Sequence, residues 1–345
     1  MTDIEILNSK LVFIDDHYPT GLACGKMGLC IYLFYLYRWG ENDEYLKVAD
    51  KLLDEIIADM PNNKDISVEK GLAGIGLGLS HLVKEEFLKG DINDVLEEVD
   101  SHIFKSIAFL NTDESFFSKP SLLHLIFYFY KRHTEQRSAD SKYLYQELII
   151  KMTEMFQNNL PADFFIEQST FAVQNYQPPI LLFVLSKVFE LNIYNQRLTK
   201  IIEEYIGILL ASIPLLHANR LFLLFGLLCI KPYLPVHQKE INAHAGLLRG
   251  SIDLDHILNV EFKNQDIFIK DGLAFVYILL FLIQNYFPEY GIAFNPQVFF
   301  KRIETSEAWN AMIKRDYYLY LHNGLFDGFP GANLVLLHLK KHFLS

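Results

Sequence analysis

Cysteine is scarce in this chain: Cys24, Cys30 and Cys229 are the only three among 345 residues. An odd, sparse set with no short paired spacing supports neither a disulfide framework nor a zinc knuckle, so reduced thiols are expected. Long hydrophobic runs are missing too. The longest, Leu221 to Ile230 and Leu273 to Ile283, fall well short of the roughly 20 residues a bilayer-spanning helix needs, so both read as buried helices and no membrane insertion is expected. Met1 to Glu5 carries acidic groups and lacks a basic segment followed by an apolar core, so no secretory signal is visible and the cytoplasm is the expected compartment. Positive charge is in deficit, with 31 Lys and Arg against 42 Asp and Glu and a net charge of −11. That balance disfavours a nucleic-acid backbone or an anionic membrane as partner and favours a basic peptide. Strand-type alternation of useful length is also absent.

Apolar material, by contrast, is plentiful: 51% of residues are hydrophobic, with 28 Phe and 19 Tyr. That excludes general disorder and suffices for a large core. A length of 345 residues exceeds the usual domain, but closed helical toroids use it as one unit, so a single domain over 1–345 is expected. Repeats organise the reading. Gly21 to Gly28 reads GLACGKMG and runs into the apolar stretch Leu29 to Tyr37. Gly324 to Gly331 reads GLFDGFPG and runs into Leu334 to Leu339, and both fit GLxxGxxG. Gly71 to Gly78 (GLAGIGLG) is a shorter variant, and Gly272-Leu273-Ala274 opens another apolar stretch. Weaker starts fall at Ser121, Pro178 and Leu221. Starts at 21, 71, 121, 178, 221, 272 and 324 make seven units of nearly one length.

Each unit pairs an apolar first half with an amphipathic second half. In the second unit Ile92, Val95, Leu96, Val99, Ile103 and Ile107 keep helical spacing, with Glu97, Glu98, Asp100 and Lys105 on the other face. In the first, Tyr45, Val48, Ala49, Leu52, Leu53 and Ile56 form the equivalent stripe. The expected fold is therefore all-α, an α/α toroid of about seven inner and seven outer helices. The last unit has only its inner helix, and Ile4 to Ile14 is an unpaired apolar segment, so the two ends are expected to pair and close the ring. Glycines inside helices cost about 0.5 to 1 kcal/mol each against alanine, so their clustering at inner-helix starts implies close backbone approach there. A phosphate loop is excluded, since GLxxGxxG lacks the Gly-Lys-Ser/Thr ending and no strand precedes it.

GLACGKMGLCIYLFYLYRWGENDEYLKVADKLLDEI, GLAGIGLGLSHLV and GLFDGFPGANLVLLHL resemble the repeat openings of the lanthionine synthetase C-like family, whose bacterial cyclases close thioether rings in ribosomally made peptides. The resemblance implies a seven-plus-seven helical toroid with its active pocket at one end of the inner ring. It also implies zinc, held by a Cys of the fifth repeat and a Cys-His pair opening the sixth, which activates a peptide thiol. The sequence departs from the family there. Lys270-Asp271-Gly272 stands where Cys-His-Gly should open the sixth repeat, and Asn219-Arg220-Leu221 offers no Cys in the fifth. Cys229 reads as a small core residue, and lysine cannot replace a thiolate in a zinc site. No zinc or other cofactor is therefore expected.

Histidines and carboxylates at inner-helix starts supply the candidate site. Asp271, His322 and Asp327 are the candidate catalytic residues; His17, Cys24, His124, His217 and Arg220 are candidate ligand-binding residues. Asp15 and Asp16 lie nearby in sequence, and His244 and His256 read as peripheral. A replacement metal site on such groups is the less favoured reading, because no pair has tight ligand spacing. Asp271 and Asp327 could instead act as an acid/base pair on a sugar or peptide, although a carboxylate at a helix start also caps amides. Cys24 could be activated by helix amides and Lys26, but a crowded helix start also wants a small residue. The function expected is that of a protein tied to ribosomal peptide modification, binding a precursor peptide or assisting a modifying enzyme without zinc-dependent cyclisation. A carboxylate enzyme is the alternative, and a cyclase with an atypical site ranks below it, so enzymatic activity stays open.

Overall fold

The computed structural model describes residues 3–11, 18–40, 42–109, 119–160 and 163–344. Among them there is no strand. The helices are α1 (Asp3–Leu11), α2 (Lys26–Gly40), α3 (Asp43–Asp59), α4 (Leu72–Lys84), α5 (Ile92–Phe109), α6 (Lys119–Glu135), α7 (Ala139–Asn158), α8 (Pro178–Glu190) and α9 (Asn195–Ala211). They continue with α10 (His217–Ile230), α11 (Gln238–Ser251), the single turn α12 (Leu254–His256), α13 (Leu273–Tyr286), α14 (Pro296–Glu304), α15 (Glu307–Lys314), α16 (Asp316–Leu321) and α17 (Phe329–Leu339). Two compact units result: Met1–Phe116 with Ile267–Ile269 and Phe300–Ser345, and Phe117–Asp266 with Lys270–Phe299.

In the first unit α2 packs between α17 and α4, and α3 and α5 cover α2 and α4 respectively. In the second, α8 packs between α6 and α10, α10 also meets α13, and α7, α9 and α11 pair with α6, α8 and α10. The alternation of buried and amphipathic helices matches the expected inner and outer layers. α3 buries Ala49, Leu52, Leu53 and Ile56, and α5 buries Leu96, Val99, Ile103 and Ile107. One position departs from the pattern: Asp100, assigned to the solvent face, is buried at 5% exposure. α8 begins at Pro178 as expected, α6 begins at Lys119, and α10 begins at His217, one turn ahead of the expected Leu221.

Three helices outside the inner layer start on ordinary side-chain caps. Asn42 accepts from the Glu44 amide ahead of α3, Ser138 from Ser141 ahead of α7 and Ser306 from Trp309 ahead of α15, each satisfying an amide that the helix leaves open. Four inner helices use backbone instead. The first amide of each donates to the carbonyl seven residues back: Lys26 to Pro19 at 2.7 Å, Leu72 to Asp65 at 2.8 Å, Leu273 to Asp266 at 3.0 Å and Phe329 to His322 at 2.8 Å. This shared turn corrects the repeat register. Gly71 and Gly272 correspond to Gly25 and Gly328, so the openings equivalent to Gly21 and Gly324 are Ser67 and Phe268, four residues before the glycines that marked them in the sequence.

In three of these four turns glycine stands where the turn meets its own helix; ahead of α13 the equivalent residue is Phe275. A Cβ on Gly28, Gly74 or Gly331 would land on the carbonyl oxygen of Leu22, Val68 or Leu325. The same turns also join sideways, Leu22 N donating to Val68 O at 3.2 Å, Cys24 N to Glu69 O at 3.1 Å and Phe326 N to Ala23 O at 2.9 Å. The two chain ends meet in this unit through a buried relay. Asn333 on α17 donates to the Tyr32 hydroxyl, which donates to Asn8 on α1, each at 2.6 Å. Lys10 of α1 pairs with Asp316 at 2.7 Å and donates to the Ile313 carbonyl at 2.8 Å. α1 packs against α15 and α16 and reaches the last inner helix, α17, through the Tyr32 relay.

Gly331→Ala is expected to destabilise the protein by about 2 kcal/mol or more, because its methyl cannot be accommodated without moving backbone. Gly207→Ala, exposed on α9 with open space around it, should instead stabilise by about 0.5 to 1 kcal/mol. Urea denaturation of both variants checks the pair.

Candidate functional site

The turn ahead of α17 builds a polar and aromatic cluster in the first unit. His322 lies between two rings: Phe268, stacked with centroids 4.8 Å apart and planes at 11°, and Tyr318, at 4.5 Å. Its Nδ1 donates to the Asp327 carbonyl at 2.9 Å. A carbonyl only accepts, so the proton sits on Nδ1 and Nε2 is the acceptor of the neutral ring. Tyr18 stands with Tyr320 at 6.4 Å. Burial pushes the Tyr18 hydroxyl pKa well up, and Asp327, Cys24 and Tyr320 add to the rise, so the phenol stays protonated. Tyr18, Cys24, His322 and Asp327 therefore share one neighbourhood. The edge of this hairpin is apolar and exposed, with Tyr317 at 73%, Leu321 at 51%, and Tyr320 and Phe326 at 37% each.

Lys26, which the sequence offered as a neighbour of Cys24, reaches α3. Its side chain is 2% exposed and bonds Glu55 of α3 at 2.7 Å. Burial raises the Glu55 pKa, but the bonds and charges of Lys26 and Lys51 outweigh it and the net shift is downward. His17, with Asp15 and Asp16, lies outside the described residues. Asp271 belongs to the second unit, in the same register position of its turn as Asp327 and Cys24 hold in theirs. His124 is half-buried in the second turn of α6.

His217 and Arg220 open α10, where the backbone is capped from outside. Glu167 accepts from the Leu215 and Leu216 amides and from Asn219 Nδ2, and Glu261 accepts from the His217 and Ala218 amides. Arg220 donates to the carbonyls of Pro214, Ser251 and Leu215, which makes it a clamp on the loop. His256 joins this group although it reads as peripheral in the sequence. One ligand atom each of His217, His256 and Glu261 lies within 4.8 Å of the others. Two features oppose a cation there. The Asp253 amide donates to His217 Nδ1 at 2.9 Å, which leaves the neutral ring's proton on Nε2, and the Arg220 guanidinium is 3.4 Å from that same Nε2. A metal-bound imidazole has the opposite arrangement, donating its outer N–H to an acceptor. Burial, then Arg220, lowers the His217 pKa.

The zinc implied by the resemblance can be tested against the residues present. Lys270 and Asp271 occupy the family's Cys-His positions, and an ammonium opposes a dication. Cys229 lies in the last turn of α10, away from the opening of its repeat. These positions do not fit the metal.

Comparison with known proteins follows the same lines. Residues 16–163 match the family model described as lanthionine synthetase C-like protein. Among solved structures, a chain named nisin cyclase is similar at a TM-score of 0.56 and 13% identity, covering 99% of this chain and 94% of that one. No curated protein matches. The fold class is accordingly the all-α toroid class to which the sequence pointed. The sequence match links residues 16–163 to the lanthionine synthetase C-like family, and the fold is shared over nearly the whole chain.

Replacing His322 separates its two contributions. His322→Ala is expected to cost about 2 kcal/mol, the sum of ring stacking and one hydrogen bond. His322→Phe keeps the stacking and should cost about half as much. Chemical denaturation of the two variants beside the parent checks the order.

Proposed function

We propose that the protein binds a precursor peptide in lanthipeptide biosynthesis, presenting it or assisting the enzyme that modifies it, without closing thioether rings at the family's zinc position. The family match supports the peptide class. The observation that carries the reading is the hairpin of Tyr317, Tyr320, Leu321 and Phe326, exposed beside His322 and Asp327. Aromatic side chains give large contact area at low entropic cost, and a net charge of −11 draws cationic peptides. Lys270 and Asp271, in place of a thiolate and an imidazole, argue against thiol activation of the family's kind.

A cationic, cysteine-containing synthetic peptide carrying dehydrated serine or threonine tests both halves. Fluorescence anisotropy should show saturable binding, weakened about tenfold or more by the double substitution Tyr320→Ala and Phe326→Ala, since two exposed aromatic contacts are removed. After incubation with zinc the peptide's thiols should remain fully alkylatable. Thiol loss dependent on the protein would overturn the non-cyclising half, and absence of saturable binding would overturn the other.

A further inference from the structure

The second unit carries an apolar surface that the cluster around His322 does not use. Three segments converge at the start of α10: 163–167, 213–217 and 253–261. The Glu167 and Glu261 carboxylates tie them together by accepting from four successive amides, Leu215 to Ala218. The amides at the helix start are therefore taken, and the Glu261 side chain is only 3% exposed. What the three segments leave outward is hydrophobic. Leu215 is 81% exposed, Ile166 and Val260 65% each and Ile213 50%. Ile166 and Val260 are the immediate neighbours of the two capping carboxylates, which brackets Leu215 between them.

Four large aliphatic side chains exposed around one helix start form a patch, and such patches mark interaction sites. Their surroundings select the partner. Asp163, Asp253 and Asp255 are exposed on the same three segments, with Lys263 the exposed base that follows them. The nearby Arg220 guanidinium is held on three carbonyls. An aliphatic centre with an acidic margin complements a segment that is apolar on one face and basic on the other. A neutral or acidic segment would bury apolar area against uncompensated carboxylates.

The geometry points to this surface as the docking site of a cationic, amphipathic helical segment of the peptide that the protein binds. The inference rests on peptide binding as the function, and adds a second point of attachment that the aromatic hairpin does not supply. Two attachments made by one chain raise its avidity through effective concentration.

The probe is a synthetic peptide with leucine and lysine at amphipathic helical spacing, measured by isothermal titration calorimetry against the full chain. Leu215→Ser with Val260→Ser alters only exposed side chains and should weaken binding about tenfold or more, while Tyr143→Ser, exposed on α7 and outside these three segments, leaves this probe's affinity unchanged. A control peptide with glutamate in place of lysine should not bind. Equal affinity for parent and the Leu215/Val260 variant overturns the inference while leaving peptide binding at the hairpin intact. Failure of both this probe and the cysteine-containing peptide to bind the parent overturns both readings. A dimer in sedimentation that disappears in the Leu215/Val260 variant assigns the patch to a second copy and likewise overturns the inference.

Discussion

Backbone approach at the inner-helix starts is the constraint on which the rest depends. A helix leaves its first amides open, and α3, α7 and α15 close one with an Asn or Ser side chain. The turns ahead of α2, α4, α13 and α17 close them by folding the chain back on itself, so that a carbonyl seven residues upstream takes the first amide. Such a turn needs no capping side chain, but in the first unit's three turns it leaves no room for a Cβ where the helix passes its own loop, and there it lets neighbouring turns bond edge to edge. Glycine at 28, 74 and 331 answers the first demand. The second is met by the amides of Leu22, Cys24 and Phe326.

The residue just before the last glycine of this turn differs from repeat to repeat: Cys24, Lys70, Asp271 and Asp327 share that position. The family resemblance places a zinc-binding histidine there in the sixth repeat. The fold therefore keeps the same scaffold while the residue at this position changes from repeat to repeat. The scaffold is written in glycines and carbonyls, so the side chain here can differ without altering the turn.

Much of the architecture was legible in the sequence because its signals are local. The stripes of α3 and α5 follow from helical spacing, and the glycines announced crowding at the helix starts. The register was not legible. GLAGIGLG looks like GLACGKMG, yet the structural equivalent of Gly21 is Ser67, and only the hydrogen bond from Leu72 to Asp65 shows it. Asp100 was misplaced because a period of 3.6 assigns faces without knowing which neighbour covers them. In the cluster, His322, Asp327 and Cys24 were legible as polar residues at helix starts. Tyr18, Phe268 and Tyr318 were not, since aromatics are too common in this chain for three of them to stand out.

The start of α10 shows what replaces the glycine turn when glycine is gone. Here two carboxylates reach in from other loops, and Glu167 and Glu261 take four amides between them. Each brings negative charge to the positive end of a helix dipole. The same solution has a consequence for chemistry. A carboxylate bonded to two amides is a weaker ligand for a cation, and the imidazole beside it is oriented by an amide donor and approached by Arg220. The side chains that suggest a metal centre by composition are thus the ones that hold the helix start in place. The groups left over for recognition at this helix start are the exposed aliphatic side chains on the loops that bring those carboxylates in.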